Sequence, residues 1–142
     1  MENAENFEGF KRFLRNKEIY FEEDVNDGAR LVVMHQRIAN SIELTMIVDF
    51  SNNNSVVSIL IGDIAHIDSP LKKEELLKLI NELNIEYNFM KFFVLDNGSV
   101  RANINLFVHD ETDYDDIVMS IIVTVKAIED EAYKKLMRLQ WS

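Results

Sequence analysis

Cysteine is absent from the 142-residue chain, which removes disulfides and thiolate metal ligation together. The compartment stays open on that count, because lack of cysteine permits a reducing one without requiring it. Proline occurs once and glycine four times, so a glycine-rich phosphate cradle is not expected. No Gly-x-Ser-x-Gly elbow, phosphate loop or dinucleotide fingerprint is present either. Long apolar runs are missing too. The longest uncharged segment, Phe50 to Gly62, contains Ser51-Asn52-Asn53-Asn54-Ser55 and cannot span a bilayer. The first residues show no basic leader ahead of an apolar stretch, so a secretory signal is not expected. Basic charge is scarce relative to acidic: 15 Lys and Arg stand against 25 Asp and Glu, a net charge of −10. That balance repels phosphate backbones, and neither a nucleic acid nor a membrane is an expected partner. Two readings of the acidity stay open, solubility and the steering of a basic partner.

What is present is a globular mixture, 47% hydrophobic and 28% charged, in a chain long enough to bury its own core. Phe7, Phe10 and Leu14 recur at helical spacing and predict a first helix from about Glu5 to Lys17, despite Gly9 within it. Ile42, Leu44, Met46, Val48 and Phe50 then alternate with polar residues, the period of a half-buried strand. A turn at Asn53-Asn54 sets Phe50 opposite Val57, Val48 opposite Ile59 and Met46 opposite Ile61. A turn at Ala39-Asn40 sets Val33 opposite Met46 and Leu31 opposite Val48. Ser69-Pro70 opens a second helix, with Ser69 at the N-cap and Pro70 at the first position. Its buried stripe is Leu76, Leu79, Ile80, Leu83 and Tyr87. Asn97-Gly98 is read as a type I′ hairpin turn pairing Leu95 with Val100 and Phe93 with Ala102. Thr112 and Asp115 resemble a capping box ahead of a last helix with Ile117, Ile121, Val125, Ile128, Ala132, Leu136 and Leu139 on one stripe. The expected class is α+β, in the order α-β-β-β-α-β-β-α, with a twisted antiparallel sheet.

The hairpin register has a consequence for surfaces. Met90, Phe92, Val94 and Phe107 fall on the face opposite Leu95 and Val100, and Ile47 and Leu60 point the same way. These six residues read either as a contact surface or as positions covered by helices on both faces of the sheet. Ile117 to Val125 is apolar nearly all round, so burial by both the sheet and a partner subunit is expected there.

Constellations that carry chemistry are weak. Asp110 to Asp116 is an acidic run without the glycine of a calcium loop and reads as a solvated turn with a helix N-terminus. Glu22-Glu23-Asp24 and Glu129-Asp130-Glu131 read as solvated faces. His35, His66 and His109 lie far apart, each at a strand or strand end, without ligand spacing. No residue pattern gives reason to expect perturbed carboxyl groups. Trp141 reads as an anchor for the helix end or as an interfacial residue. No catalytic residue, cofactor or metal ligand is assigned.

Leu76-Leu77, Ile80-Asn81-Glu82-Leu83-Asn84, the aromatic strand Phe92-Phe93-Val94, the Asn97-Gly98 turn and the alternating Val100, Ala102, Ile104 and Leu106 resemble the YbjN family, putative bacterial sensory-transduction regulators. An acidic stretch and Ile128-Glu129-Asp130-Glu131-Ala132-Tyr133 extend the resemblance, which covers Ser69 to Leu139 well and the first half by element order. It implies a fold similar to type III secretion chaperones, often homodimeric, which bind extended segments of partner proteins and have no catalytic residues to transfer. The expectation is a single YbjN-like domain over residues 1–142. It would be a cytoplasmic, non-enzymatic protein-binding module with a chaperone-like or regulatory adaptor role, acting as a homodimer with a protein or peptide partner. The alternative is a small-molecule or metal-sensing regulatory domain with its pocket between sheet and helices. An enzyme would need titratable side chains converging in a cleft.

Overall fold

Pleating decides this architecture, because successive side chains of a strand point to opposite faces. In the strand Ile42–Asp49, Leu44, Met46 and Val48 are buried while Thr45, Ile47 and Asp49 are only half-buried. The computed structural model describes residues 2–38, 42–52 and 54–142. The chain runs α1 (Glu2–Asn16), β1 (Glu22–Asp24), β2 (Leu31–Ile38), β3 (Ile42–Asp49), β4 (Val56–His66), α2 (Lys73–Glu86), β5 (Lys91–Val94), β6 (Ser99–Phe107) and α3 (Tyr114–Ala127). A π-helical turn (Ile128–Ala132) then leads into α4 (Tyr133–Gln140), and α-type backbone at both junctions makes α3, the turn and α4 one continuous rod. The class is α+β, with one antiparallel six-stranded sheet ordered β1-β2-β3-β4-β6-β5.

Buried side chains of β2, β3, β4 and β6 lie on one face of the sheet and join the helices in one hydrophobic cluster. Each fully buried Val, Ile, Leu or Phe contributes about 1.5–3 kcal/mol relative to exposure. Ile59, Ile61, Phe10, Leu14, Ile117, Ile128 and Leu136 are among the completely enclosed ones. The apolar stripes expected on α2 and the last helix face this cluster.

Three register expectations meet the ladders differently. Met46 does pair with Ile61 and Val48 with Ile59; Asn53 of the intervening turn lies outside the described residues, as do Ala39 and Asn40. In β2, however, Met34 pairs with Met46 and Val32 with Val48, one residue from the expected Val33 and Leu31. A one-residue slip turns every side chain over, so Val32 and Met34 are the core pair. The Asn97-Gly98 hairpin is shifted in the same way. Val94 pairs with Val100 and Phe92 with Ala102. The Gly98 amide donates to the Leu95 carbonyl at 2.9 Å and the Leu95 amide to the Ser99 carbonyl at 2.9 Å. Gly98, and not Asn97, has positive φ, at 87°. This is a type I turn closed by a left-handed glycine, the three-residue alternative to type I′.

Short elements lack the periodicity that would reveal them in the sequence. β1 is an acidic three-residue edge strand. A 3-10 turn at Pro70–Lys72 precedes α2, and the Ser69 side chain makes no capping bond. Asp110, in place of Thr112, caps the turn before α3 by accepting from the Thr112 amide at 2.9 Å.

α1 starts earlier than its apolar spacing suggests because two buried asparagines tie it down. Asn3 donates to the Asn52 and Val56 carbonyls. Asn6 donates to the Val108 carbonyl at 3.0 Å and accepts from the Tyr114 hydroxyl at 3.1 Å. Lys11 is buried between Glu23 at 2.6 Å and Glu8 at 3.1 Å, over the Phe7 ring. Burial alone would lower its pKa, but the Glu23 and Glu8 carboxylates outweigh that and hold it above the ordinary lysine value. Gly9 is required by contact: a Cβ there would meet the Tyr114 hydroxyl at 2.2 Å and its ring at 2.9 Å. Gly9→Ala is therefore expected to lower stability by roughly 1–3 kcal/mol through overpacking, although helix propensity alone favours alanine by about 1 kcal/mol. Urea denaturation checks this, and in a Tyr114→Ala background the same substitution should become neutral or stabilising.

Candidate interaction surface

The helices lie on one side of the sheet, so its other face is uncovered among the described residues. Across that face one cross-strand row joins Glu22, Val33, Ile47, Leu60, Asn103 and Lys91, each the Cα partner of the next. Val33, Ile47 and Leu60 are half-buried by their neighbours alone. Phe93 joins them from β5, and Phe107, 72% exposed, stands at the end of β6 and stacks on His109.

The six residues expected to share a contact face are divided by the structure. Ile47, Leu60 and Phe107 are on the open face. Met90 and Phe92 are 1% and 2% exposed in the core, and Val94 packs against it. The cause is the shifted hairpin, which turns Phe92 inward opposite Ala102 and sends Phe93 outward opposite Arg101.

Both edge strands carry features that discourage strand addition. At β5 the Asn84 side chain donates to the Phe92 carbonyl at 3.1 Å and accepts from the Phe92 amide at 2.6 Å. Its carboxamide thus occupies the hydrogen-bonding groups that another strand would need. At the other edge, β1 is three residues long and acidic, two features that discourage pairing with a further chain.

Two polar clusters lie outside the apolar row. At the bulge between Ile61 and Ala65, Asp63 has φ of 54°. It accepts from the buried Ser99 hydroxyl and from Arg101 Nε at 3.4 Å. The Ser99 hydrogen bond and the Arg101 guanidinium hold its carboxyl below the usual aspartate value. With His66, Tyr133 and Trp141 these residues line an open cleft of about 480 Å³. Trp141 is 77% exposed and does not anchor the helix end. His66 lies 3.4 Å from Asp68, and His35 from β2 contacts Glu22 at 3.2 Å. Among the described residues, no three His, Asp or Glu side chains are grouped to hold a metal ion, and no helix is long and apolar enough to cross a membrane.

The second cluster is where the acidic run of the π-turn departs from a plain solvated face. Glu131 accepts from Lys135 Nζ at 2.7 Å and from the Tyr87 hydroxyl at 3.0 Å. Lys135 first, then Glu86 and the Tyr87 hydroxyl, bring Glu131 down to about 2, while the neighbouring Glu131 carboxylate and burial raise Glu86. Burial and the Glu131 hydrogen bond push Tyr87 up to about 12. Sequence reasoning missed this group because it joins the end of α2 to the π-turn and α4, with Tyr87 and Glu131 44 residues apart.

No family model matches this chain, and no curated protein matches it. Another apolar feature is α3, whose Ile117, Ile121 and Val125 face the core while Met119, Ile122 and Val123 are about half-exposed. The sheet therefore accounts for one side of that helix.

Two outcomes follow from these contacts. Asn84→Leu should leave the Phe92 backbone unpaired, lower stability by about 1–3 kcal/mol and accelerate amide exchange at Phe92, read by NMR. Carboxyl titration by NMR should place Glu131 near 2 and Glu86 above the ordinary glutamate value of 4.5. Lys135→Met should move Glu131 upward. Glu131's contribution to stability is present above its unfolded value and is lost as pH falls toward 2, because its folded value is depressed. Glu86's contribution is present at low pH and is lost as pH rises through its elevated value.

Proposed function

We propose that this chain is a non-enzymatic protein-binding module with a chaperone-like or regulatory role, and that it acts as a homodimer through the open face of its sheet. The observation that carries this reading is the apolar row Val33–Ile47–Leu60 on a face without a helix layer. The Asn84 contacts at β5 and the short acidic β1 favour contact through the face over strand addition at those edge strands. The resemblance to the YbjN family, and through it to type III secretion chaperones, points the same way. A reducing cytoplasm suits a chain without cysteine. A small-molecule reading would use the bulge cleft, but there Asp63, Ser99 and Arg101 already satisfy one another, so the face is the better supported surface.

Light scattering at micromolar concentration should give the mass of a dimer. Ile47→Asp, on the open face, should return the monomer with near-UV circular dichroism unchanged. Phe92→Asp should instead unfold the chain, because it places an unpaired charge in the core. A wild-type monomer throughout the micromolar range, or an Ile47→Asp variant that remains dimeric, would refute the reading.

A further inference from the structure

The row across the open face is acidic at one end, apolar in the middle and basic at the other. Glu22 at the β1 edge leads through Val33, Ile47, Leu60 and Asn103 to Lys91 at the β5 edge. Asp24 adjoins the acidic end; near the other end Arg101 is already paired with Asp63, so Lys91 supplies the basic charge. Lys91 has no salt bridge to a described residue, whereas Glu22 contacts the His35 ring at 3.2 Å. A row with six members has its midpoint between Ile47 and Leu60, and only certain symmetries bring such a row against itself favourably.

Resting on the homodimer reading above, we infer that a second copy of this chain docks on the open face about a twofold axis running along the strands between β3 and β4. That rotation reverses strand order. It sets Glu22 of each copy against Lys91 of the other, and Ile47 against Leu60, so that both charge pairs close over a dry centre. A twofold axis across the strands would instead bring the acidic edges together and the basic edges together, which like-charge repulsion disfavours. Rotation about the strand direction keeps the strands of the two sheets nearly aligned, the commoner way for sheets to stack. The area is also adequate. Six strands about 4.8 Å apart span ~24 Å, and eight residues of strand span about 26 Å. The projected face is then on the order of 600 Å². Its corrugated accessible area approaches the ~800 Å² per partner of a standard interface.

Charge reversal and cross-linking test the arrangement. Sedimentation equilibrium should show Glu22→Lys and Lys91→Glu each weakening the wild-type dimer roughly tenfold or more, since each converts two attractive pairs into two repulsive ones. The doubly reversed E22K/K91E chain should recover the wild-type affinity. In a chain without native cysteine, E22C mixed with K91C should give a cross-linked dimer with a short bismaleimide, and neither variant should cross-link alone. Self-cross-linking of E22C, or single reversals without effect on a dimer that Ile47→Asp still dissociates, would overturn this axis and leave the homodimer reading standing. A wild-type monomer would overturn both.

Discussion

The β3–β4 ladder is the constraint on which the rest of this molecule depends. Pairing Met46 with Ile61 and Val48 with Ile59 commits those four side chains to the helix side and commits Ile47 and Leu60 to the other. Because the period of a strand is two, the choice propagates to every neighbour: Val32 and Met34 in β2, Ala102 and Ile104 in β6. Helices can then bury their stripes only against one face. The same pleat that builds the core therefore also produces the uncovered row of Val33, Ile47 and Leu60.

Local devices hold that arrangement in place where periodicity is silent. Asn6 links α1 to the end of β6 and to Tyr114 at the start of α3. Gly9 lets the Tyr114 ring approach the α1 backbone. Asn84 closes the β5 edge through the hydrogen-bonding groups of Phe92. Each is a side chain or a missing Cβ filling a need created by distant backbone. The Glu131 cluster works in the same manner, joining the π-turn to the end of α2 through Tyr87, Glu86 and Lys135.

The candidate surface was half legible. The clean alternation of β3 and β4, in agreement across the turn, places Ile47 and Leu60 on one face. A two-residue turn at Asn97-Gly98 would put Met90, Phe92 and Val94 on that face as well. Both that turn and the observed one put glycine at a positive φ, so the dipeptide alone does not distinguish them. The difference is one residue of register, and one residue exchanges Phe92 for Phe93 on the face. The β2 shift has the same character, since Leu31-Val32-Val33-Met34 is apolar on both faces and offers no preferred phase.

Sequence alone determined the α+β class, the main helices and strands, and the partners across the central ladder. Those follow from periodic burial and from turn-forming residues, which act over a few neighbours. Tertiary structure decided the phase of β2 and β5, the acidic edge strand β1, the helix layer on a single face, and the Glu22-to-Lys91 polarity of the face left open. These depend on residues from six separate strands meeting in one row, and no local pattern carries the register that aligns them.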